Sequence, residues 1–289
     1  MGKDLRNKGL TMLRRLLIAL AAVIVIPYAA VVGYLYIAQR DMLYTIQPEP
    51  NQPIAGLNIQ DVRIATPDGE TLQAWFEPPQ PGRPVILFFH GQGGTLTMGR
   101  YRYVRMHKQG VGYLAVAYRG YSHSTGKPTE AGLFIDGLTA YDWLRQRGYS
   151  AHDIVLHGHS LGSGIATYVA SKREARALVL EAPFTSVSDV AQERYPFVPV
   201  SLLMQDQFRS RDYIREVDEP LLIVHGDRDS VVPYVQGQRL FALANAPKRF
   251  VTMPGSEHNT LVRDGLYPHV WRFLNLPPKD YDPALESAP

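Results

Sequence analysis

Gly158-His159-Ser160-Leu161-Gly162 constrains this chain more than any other stretch, through what lies on either side of it. Asp153 to His157 is a short apolar run suited to a buried strand, and Ser163 to Ala170 is small-residue-rich and long enough for a helix. A Gly-x-Ser-x-Gly between strand and helix forms a nucleophile elbow, a strained turn that lifts the serine Oγ above the sheet edge. Side chains at 158 or 162 would collide with neighbouring backbone in so tight a turn. The bare pattern is weak; its strand-and-helix context gives it meaning.

Three more segments repeat the arrangement of a strand followed by a polar loop. Pro84 to Phe89 reads as a buried strand and runs into His90-Gly91-Gln92-Gly93-Gly94. Such a loop can turn a backbone N–H toward the serine and supply half of an oxyanion hole. Leu221 to Val224 ends in His225-Gly226-Asp227-Arg228-Asp229, and Arg249 to Met253 leads into Pro254-Gly255-Ser256-Glu257-His258. Each polar group follows the C-terminal end of a predicted strand, where open α/β sheets gather their ligands.

Elsewhere, Pro67-Asp68-Gly69-Glu70 between 61–65 and 71–76 marks an opening hairpin. A helix is expected over 95–109, a strand over 113–118, a patterned helix from Thr129 toward Gly148 and a strand over 177–180. Strands alternating with helices of this length predict an α/β domain with a mostly parallel sheet. Residues 184–217 insert between two strands. They either pack over the sheet edge or form a small cap whose Phe184, Tyr195, Phe197 and Leu203 wall an acyl pocket near Ser160.

Leu16 to Ala38 carries no charge and is dominated by Leu, Ile, Val and Ala. As a helix it spans about 34 Å, enough to cross a hydrocarbon core of about 30 Å. A cleavable signal peptide is the rival reading, but its apolar region usually runs only about 7–15 residues. Lys3, Arg6, Lys8, Arg14 and Arg15 precede the run, while Arg40 alone follows it closely, which predicts a cytoplasmic N-terminus. With Asp4, these five residues carry +4 of the +3 net charge, so the rest of the chain is near −1 and unsuited to nucleic acid. The expected order is a basic tail at 1–15, an anchor at 16–38, a proline-stiffened linker at 39–58, a catalytic domain at 59–275 and a loose tail at 276–289. The chain has no cysteine, which excludes disulfides and thiolate chemistry. No metal-ligand cluster, Walker loop or dinucleotide fingerprint is present, so no metal or cofactor is indicated.

The five segments together resemble the α/β-hydrolase-fold serine hydrolases, and more narrowly the membrane-anchored alpha/beta-hydrolase-domain proteins. The resemblance is carried by His90-Gly91-Gln92-Gly93-Gly94, Tyr118-Arg119-Gly120-Tyr121-Ser122-His123-Ser124-Thr125-Gly126, the elbow, His225-Gly226-Asp227-Arg228-Asp229 and Gly255-Ser256-Glu257-His258. It covers about residues 55 to 275. Two positions depart from the family pattern: Ala117 where Asp is frequent, and Gln92 where Asn or Gly is frequent. The order Ser, Asp, His is that of this fold, and differs from chymotrypsin and subtilisin. The resemblance implies an eight-stranded sheet with helices on both faces, a small cap and one preceding transmembrane helix.

Ser160 needs a base, because an alcohol is a poor nucleophile at neutral pH. Of nine histidines, His258 follows the last predicted strand, where this fold places its base. His157 and His159 flank the serine too closely to serve, and His90 and His225 are expected to brace loops. The family pattern His-Gly-x-x-Asp points to Asp229 as the acid and leaves Asp227 a loop-stabilising role. Arg119 reads as the centre of a structural ion pair. Backbone N–H groups of Gln92 and Leu161 would hold an oxyanion. The function expected is hydrolysis of lipid-like carboxylic esters or thioesters, with the catalytic domain outside the cytoplasm, in the periplasm of a Gram-negative cell. A serine peptidase on the same fold and a non-catalytic binding protein are the alternatives. Haloalkane dehalogenation is excluded, because it needs Asp at the elbow.

Overall fold

The computed structural model describes residues 2–48, 54 and 56–277, which form two units divided after Leu43. The first is a single helix, α1 (Gly2–Leu43). Its Gly9–Leu43 stretch is long and apolar enough to cross a membrane, with a mean hydropathy of 2.6 in its most apolar window. Pro27 lies inside α1 without ending it. The helix outruns the expected anchor at both ends, so the basic segment and residues 39–43 are helical too. The linker expected over 39–58 is correspondingly shorter, since Tyr44 is already buried in the second unit. Pro50 and Pro53 of that linker, and the tail from residue 278, lie outside the described residues.

The second unit is built on eight strands: β1 (Gln60–Ala65), β2 (Thr71–Glu77), β3 (Val85–Phe89), β4 (Gly112–Val116), β5 (Ile154–His159), β6 (Ala177–Glu181), β7 (Leu221–Gly226) and β8 (Lys248–Met253). They lie in the order β1-β2-β4-β3-β5-β6-β7-β8. β1 and β2 pair antiparallel, β2 runs antiparallel to β4, and every later pair is parallel. β3, β4 and β6 are buried at every residue, which requires cover on both faces and explains their unbroken apolar sequences.

Helices α2 (Arg100–Gln109), α3 (Glu130–Gln146), α4 (Leu161–Ala170), α8 (Tyr234–Leu243) and α9 (Leu266–Phe273) join or follow the strands. Thr129 caps α3 by accepting the Gly132 N–H at 3.0 Å, a contact of about 1 kcal/mol. The helix expected from 95 begins instead with a tight turn over 97–99. The strand expected to reach 118 stops at Val116, because the Arg119 N–H turns aside to the Asp136 carboxylate at 2.8 Å. The insertion between β6 and β7 holds three short helices, α5 (Val187–Arg194), α6 (Val200–Leu203) and α7 (Ser210–Tyr213).

Candidate active site

β5 delivers Ser160 at the sheet's centre, and α4 begins at the next residue. Ser160 sits at φ 52°, ψ −121°, a backbone state that costs a non-glycine residue about 1–3 kcal/mol. Its surroundings hold it there. The Ser160 N–H donates to the Glu181 carbonyl at 2.9 Å, and the Ser163 N–H donates to the Ser160 carbonyl at 2.8 Å. A Cβ on Gly158 would overlap the Gly162 carbonyl, and one on Gly162 would overlap the Phe89 carbonyl. The elbow therefore closes only with glycine at both positions.

Three loops that are far apart in sequence meet over this serine. His258 Nε2 lies 2.8 Å from Ser160 Oγ, and His258 Nδ1 lies 2.7 Å from Asp229 Oδ2. Asp229 Oδ1 accepts the Val231 and Val232 N–H groups at 2.9 and 2.8 Å, which fixes the carboxylate plane. Burial alone would raise its pKa. Hydrogen bonds from His225 and His258 outweigh that effect and hold the carboxyl below its usual range. Asp227 turns elsewhere, accepting the Gly255 N–H at 2.7 Å.

The loop after β3, expected to supply half of an oxyanion hole, is braced from within and from beside. His90 Nδ1 donates to the Gly91 carbonyl at 2.8 Å, and the Tyr118 and Tyr121 hydroxyls donate to the carbonyls of His90 and Gln92, each at 2.8 Å. A Cβ on Gly91 would lie 3.3 Å from the Ser160 Cβ, so the loop runs directly alongside the serine. Leu161 is the first residue of α4, and the opening N–H groups of a helix have no partner within it.

Of the four residues expected to wall an acyl pocket, Phe184 is buried against Gly164 of α4, whereas Phe197 is 87% exposed. Tyr195 and Leu203 are half-buried. Arg119 is buried between two carboxylates, with Nη1 2.7 Å from Asp68 and Nη2 2.7 Å from Asp136. Its role is to tie the β1–β2 hairpin to α3.

Two features escaped sequence reasoning. Glu181, at the end of β6, is fully buried and pairs with both Arg102 of α2 and His157 of β5. Burial opposes its charge, but Arg102 and His157 outweigh it and hold the carboxyl below its usual range. Beside this cluster, burial and then the Arg102 charge lower the His159 imidazole to about 3. It stays neutral next to His258, whose carbonyl lies 3.3 Å from its Nε2. A buried Glu following an apolar strand was the available signal. The second feature is Thr45, whose Oγ1 accepts from the Gln92 side-chain amide at 3.1 Å across 47 residues of sequence. Nothing local in sequence marks that contact.

The family model described as Serine aminopeptidase, S33 matches residues 80–208, from β3 through the elbow into the insertion. An uncharacterized protein of Mycobacterium tuberculosis is 34% identical over 243 residues, covering 82% of this chain and 86% of its own. A lysophosphatidylserine lipase of Danio rerio is 33% identical over 226 residues, covering 68% of this chain and 58% of its own. Among solved structures, an esterase of Pyrococcus furiosus superposes with a TM-score of 0.64 at 18% identity, over 80% of this chain and 96% of its own, a likeness of fold. With the elbow, the sheet order and these relatives in view, the chain belongs to the α/β-hydrolase family whose model bears the description Serine aminopeptidase, S33.

Proposed function

We propose that this hydrolase is a membrane-anchored serine esterase that cleaves lipid-like carboxylic esters or thioesters through an acyl-enzyme on Ser160. The observation that carries the reading is the continuous relay from Ser160 Oγ through His258 to Asp229, at 2.8 and 2.7 Å. His258 Nε2 takes the Oγ proton as Oγ bonds to the substrate carbonyl carbon. The N–H groups of Leu161 and Gln92 donate hydrogen bonds to the developing oxyanion. Its collapse breaks the bond to the alkoxide or thiolate, which leaves with the proton from His258. Water then attacks the acyl-enzyme by the same route, releasing the acid and restoring Ser160. Asp229 remains ionised throughout and holds His258 in the tautomer whose Nε2 faces the serine.

The substrate class follows from three supports. The Danio rerio relative is named for a lipid ester. Helix α1 would keep the enzyme at a membrane, and its flanking charges favour a cytoplasmic N-terminus with the catalytic unit outside. Each CH₂ of an acyl chain removed from water favours binding by about 0.8 kcal/mol. A lysophospholipid or an acylglycerol meets these conditions.

A second reading is supported by the family description itself: an aminopeptidase. It needs a carboxylate free to hold the substrate's ammonium group. The buried carboxylates at the strand ends beside the elbow, Glu181 and Asp229, are both already paired.

Covalent labelling by a fluorophosphonate tests the chemistry. The wild-type chain should label and Ser160→Ala should not; an unlabelled wild type would end the serine-hydrolase reading. p-Nitrophenyl esters of rising chain length and an aminoacyl amide then test the class. Faster cleavage of the amide would transfer the assignment to the peptidase.

A further inference from the structure

Two neighbouring strands leave the sheet at the elbow, and neither leaves on a glycine. Ser160 follows β5 at φ 52°, and Ala182 follows β6 at φ 46°. Both backbone states are unfavourable for a residue with a side chain and persist only where the surroundings fix them. Glu181 stands between the two. Its carbonyl accepts the Ser160 N–H at 2.9 Å, and the next N–H, that of Ala182, donates to the Val224 carbonyl of β7 at 2.9 Å. The 181–182 peptide is therefore the last rung joining β5, β6 and β7 before the chain turns away.

The Glu181 side chain is held from two elements. Arg102 Nη1 and His157 Nε2 both contact its Oε1. The side chains of Glu181 and His157 are fully buried, and that of Arg102 is 12% exposed. The Phe88 ring of β3 packs against both partners: the Arg102 guanidinium lies 5.0 Å from its centroid, and His157 meets it edge-on at 5.6 Å. Arg102 belongs to the first turn of α2, the helix that follows the loop after β3. An ion pair this deep is a poor source of stability, because apolar side chains of similar volume often do as well or better in its place. What it supplies is direction, since a charge-assisted contact is made at a defined geometry.

We propose that Arg102 and His157 are positioning residues for catalysis: by clamping the Glu181 side chain they aim the Glu181 carbonyl at the Ser160 N–H and hold Ser160 in the strained state that turns Oγ toward His258. The inference rests on the serine-hydrolase reading and names what keeps its nucleophile in place. It is tested on the full chain with the double variant Arg102→Met/Glu181→Gln. This variant keeps the side-chain volumes, leaves no unpaired charge and retains an oxygen for His157, so it separates positioning from stability. Two quantities are measured: the second-order rate of fluorophosphonate labelling, and kcat and KM on p-nitrophenyl butyrate. Both rates are normalised to the label finally incorporated, so unfolded molecules drop out. Labelling and kcat should fall about tenfold or more with KM held within about twofold, since displacing a reacting group by about 1 Å can cost about 10² in rate. A wild-type labelling rate in the double variant overturns the proposal and leaves the pair a packing element. If that variant yields no folded protein, His157→Phe decides; it keeps the Arg102–Glu181 pair and the ring contact with Phe88 but removes one arm of the clamp. It should label about threefold or more slowly, and a wild-type rate there overturns the proposal. A wild type that does not label would instead refute the serine-hydrolase reading, so the two failures are distinct.

Discussion

Asp227 accepts the backbone N–H of Gly255 at 2.7 Å, and by doing so it ties the loop after β7 to the loop that carries His258. Two residues further on, Asp229 makes the contact with His258 itself. The two carboxylates thus share a loop and divide its work between holding the backbone and contacting His258. Asp229→Asn should lower kcat by about 10⁴, the size of effect seen when a triad histidine is left in the wrong tautomer. Asp227→Asn should cost far less, because an amide oxygen still accepts from Gly255. Steady-state rates on one ester for both variants decide the matter, and a reversed ranking would reassign the acid.

Gly162 has no room for a methyl group, since its Cβ would overlap the Phe89 carbonyl. The obstacle is backbone of the adjoining central strand, so it cannot rotate away as a side chain would. Gly162→Ala should therefore exceed the ~1–3 kcal/mol of ordinary overpacking and displace Ser160 from His258. Urea unfolding together with fluorophosphonate labelling would show both losses. Wild-type stability and labelling in this variant would mean the elbow is looser than described.

Arg119 is 7% exposed, and Asp136 beneath it is fully buried. Arg119→Ala leaves that carboxylate unpaired and should cost about 3–5 kcal/mol at neutral pH. The deficit should shrink in acid, for two reasons of the same sign. Hydrogen bonds from Arg119 and Thr66 lower Asp68 to about 2, so its stabilising contribution is present above the ordinary value of 3.8 and is lost as pH falls toward 2. Burial raises Asp136 even when paired, so the variant's orphaned carboxyl takes up a proton on acidification and its penalty is relieved. Urea midpoints for wild type and variant at pH 7 and pH 3 measure the difference, and a gap that widens in acid contradicts the argument.

The charge bias around α1 bears on topology. A reporter active only outside the cytoplasm, fused after Leu43, should be active. Activity from a cytoplasm-restricted reporter at the same junction would place the catalytic unit inside the cell.

What sequence by itself determined about this protein is what short-range patterns can carry. Unbroken apolar runs such as 85–89 and 221–224 announce strands covered on both faces. Gly158 and Gly162 around Ser160 announce the elbow, because the steric demand falls within five residues. Polar loops placed after strand ends indicated where Asp229 and His258 would lie, since a parallel sheet collects those ends along one edge. Tertiary structure alone decided the contacts between distant segments. Arg102 reaches Glu181 across 79 residues, Gln92 reaches Thr45 across 47, and Arg119 joins Asp68 across 51. It also exposed Phe197, which the sequence reading offered as part of a pocket wall, and embedded Tyr44, which that reading placed in a proline-stiffened linker. The physical reason is common to all of these. An apolar or polar side chain states that it will find a partner of its kind, but packing of elements remote in sequence chooses the partner.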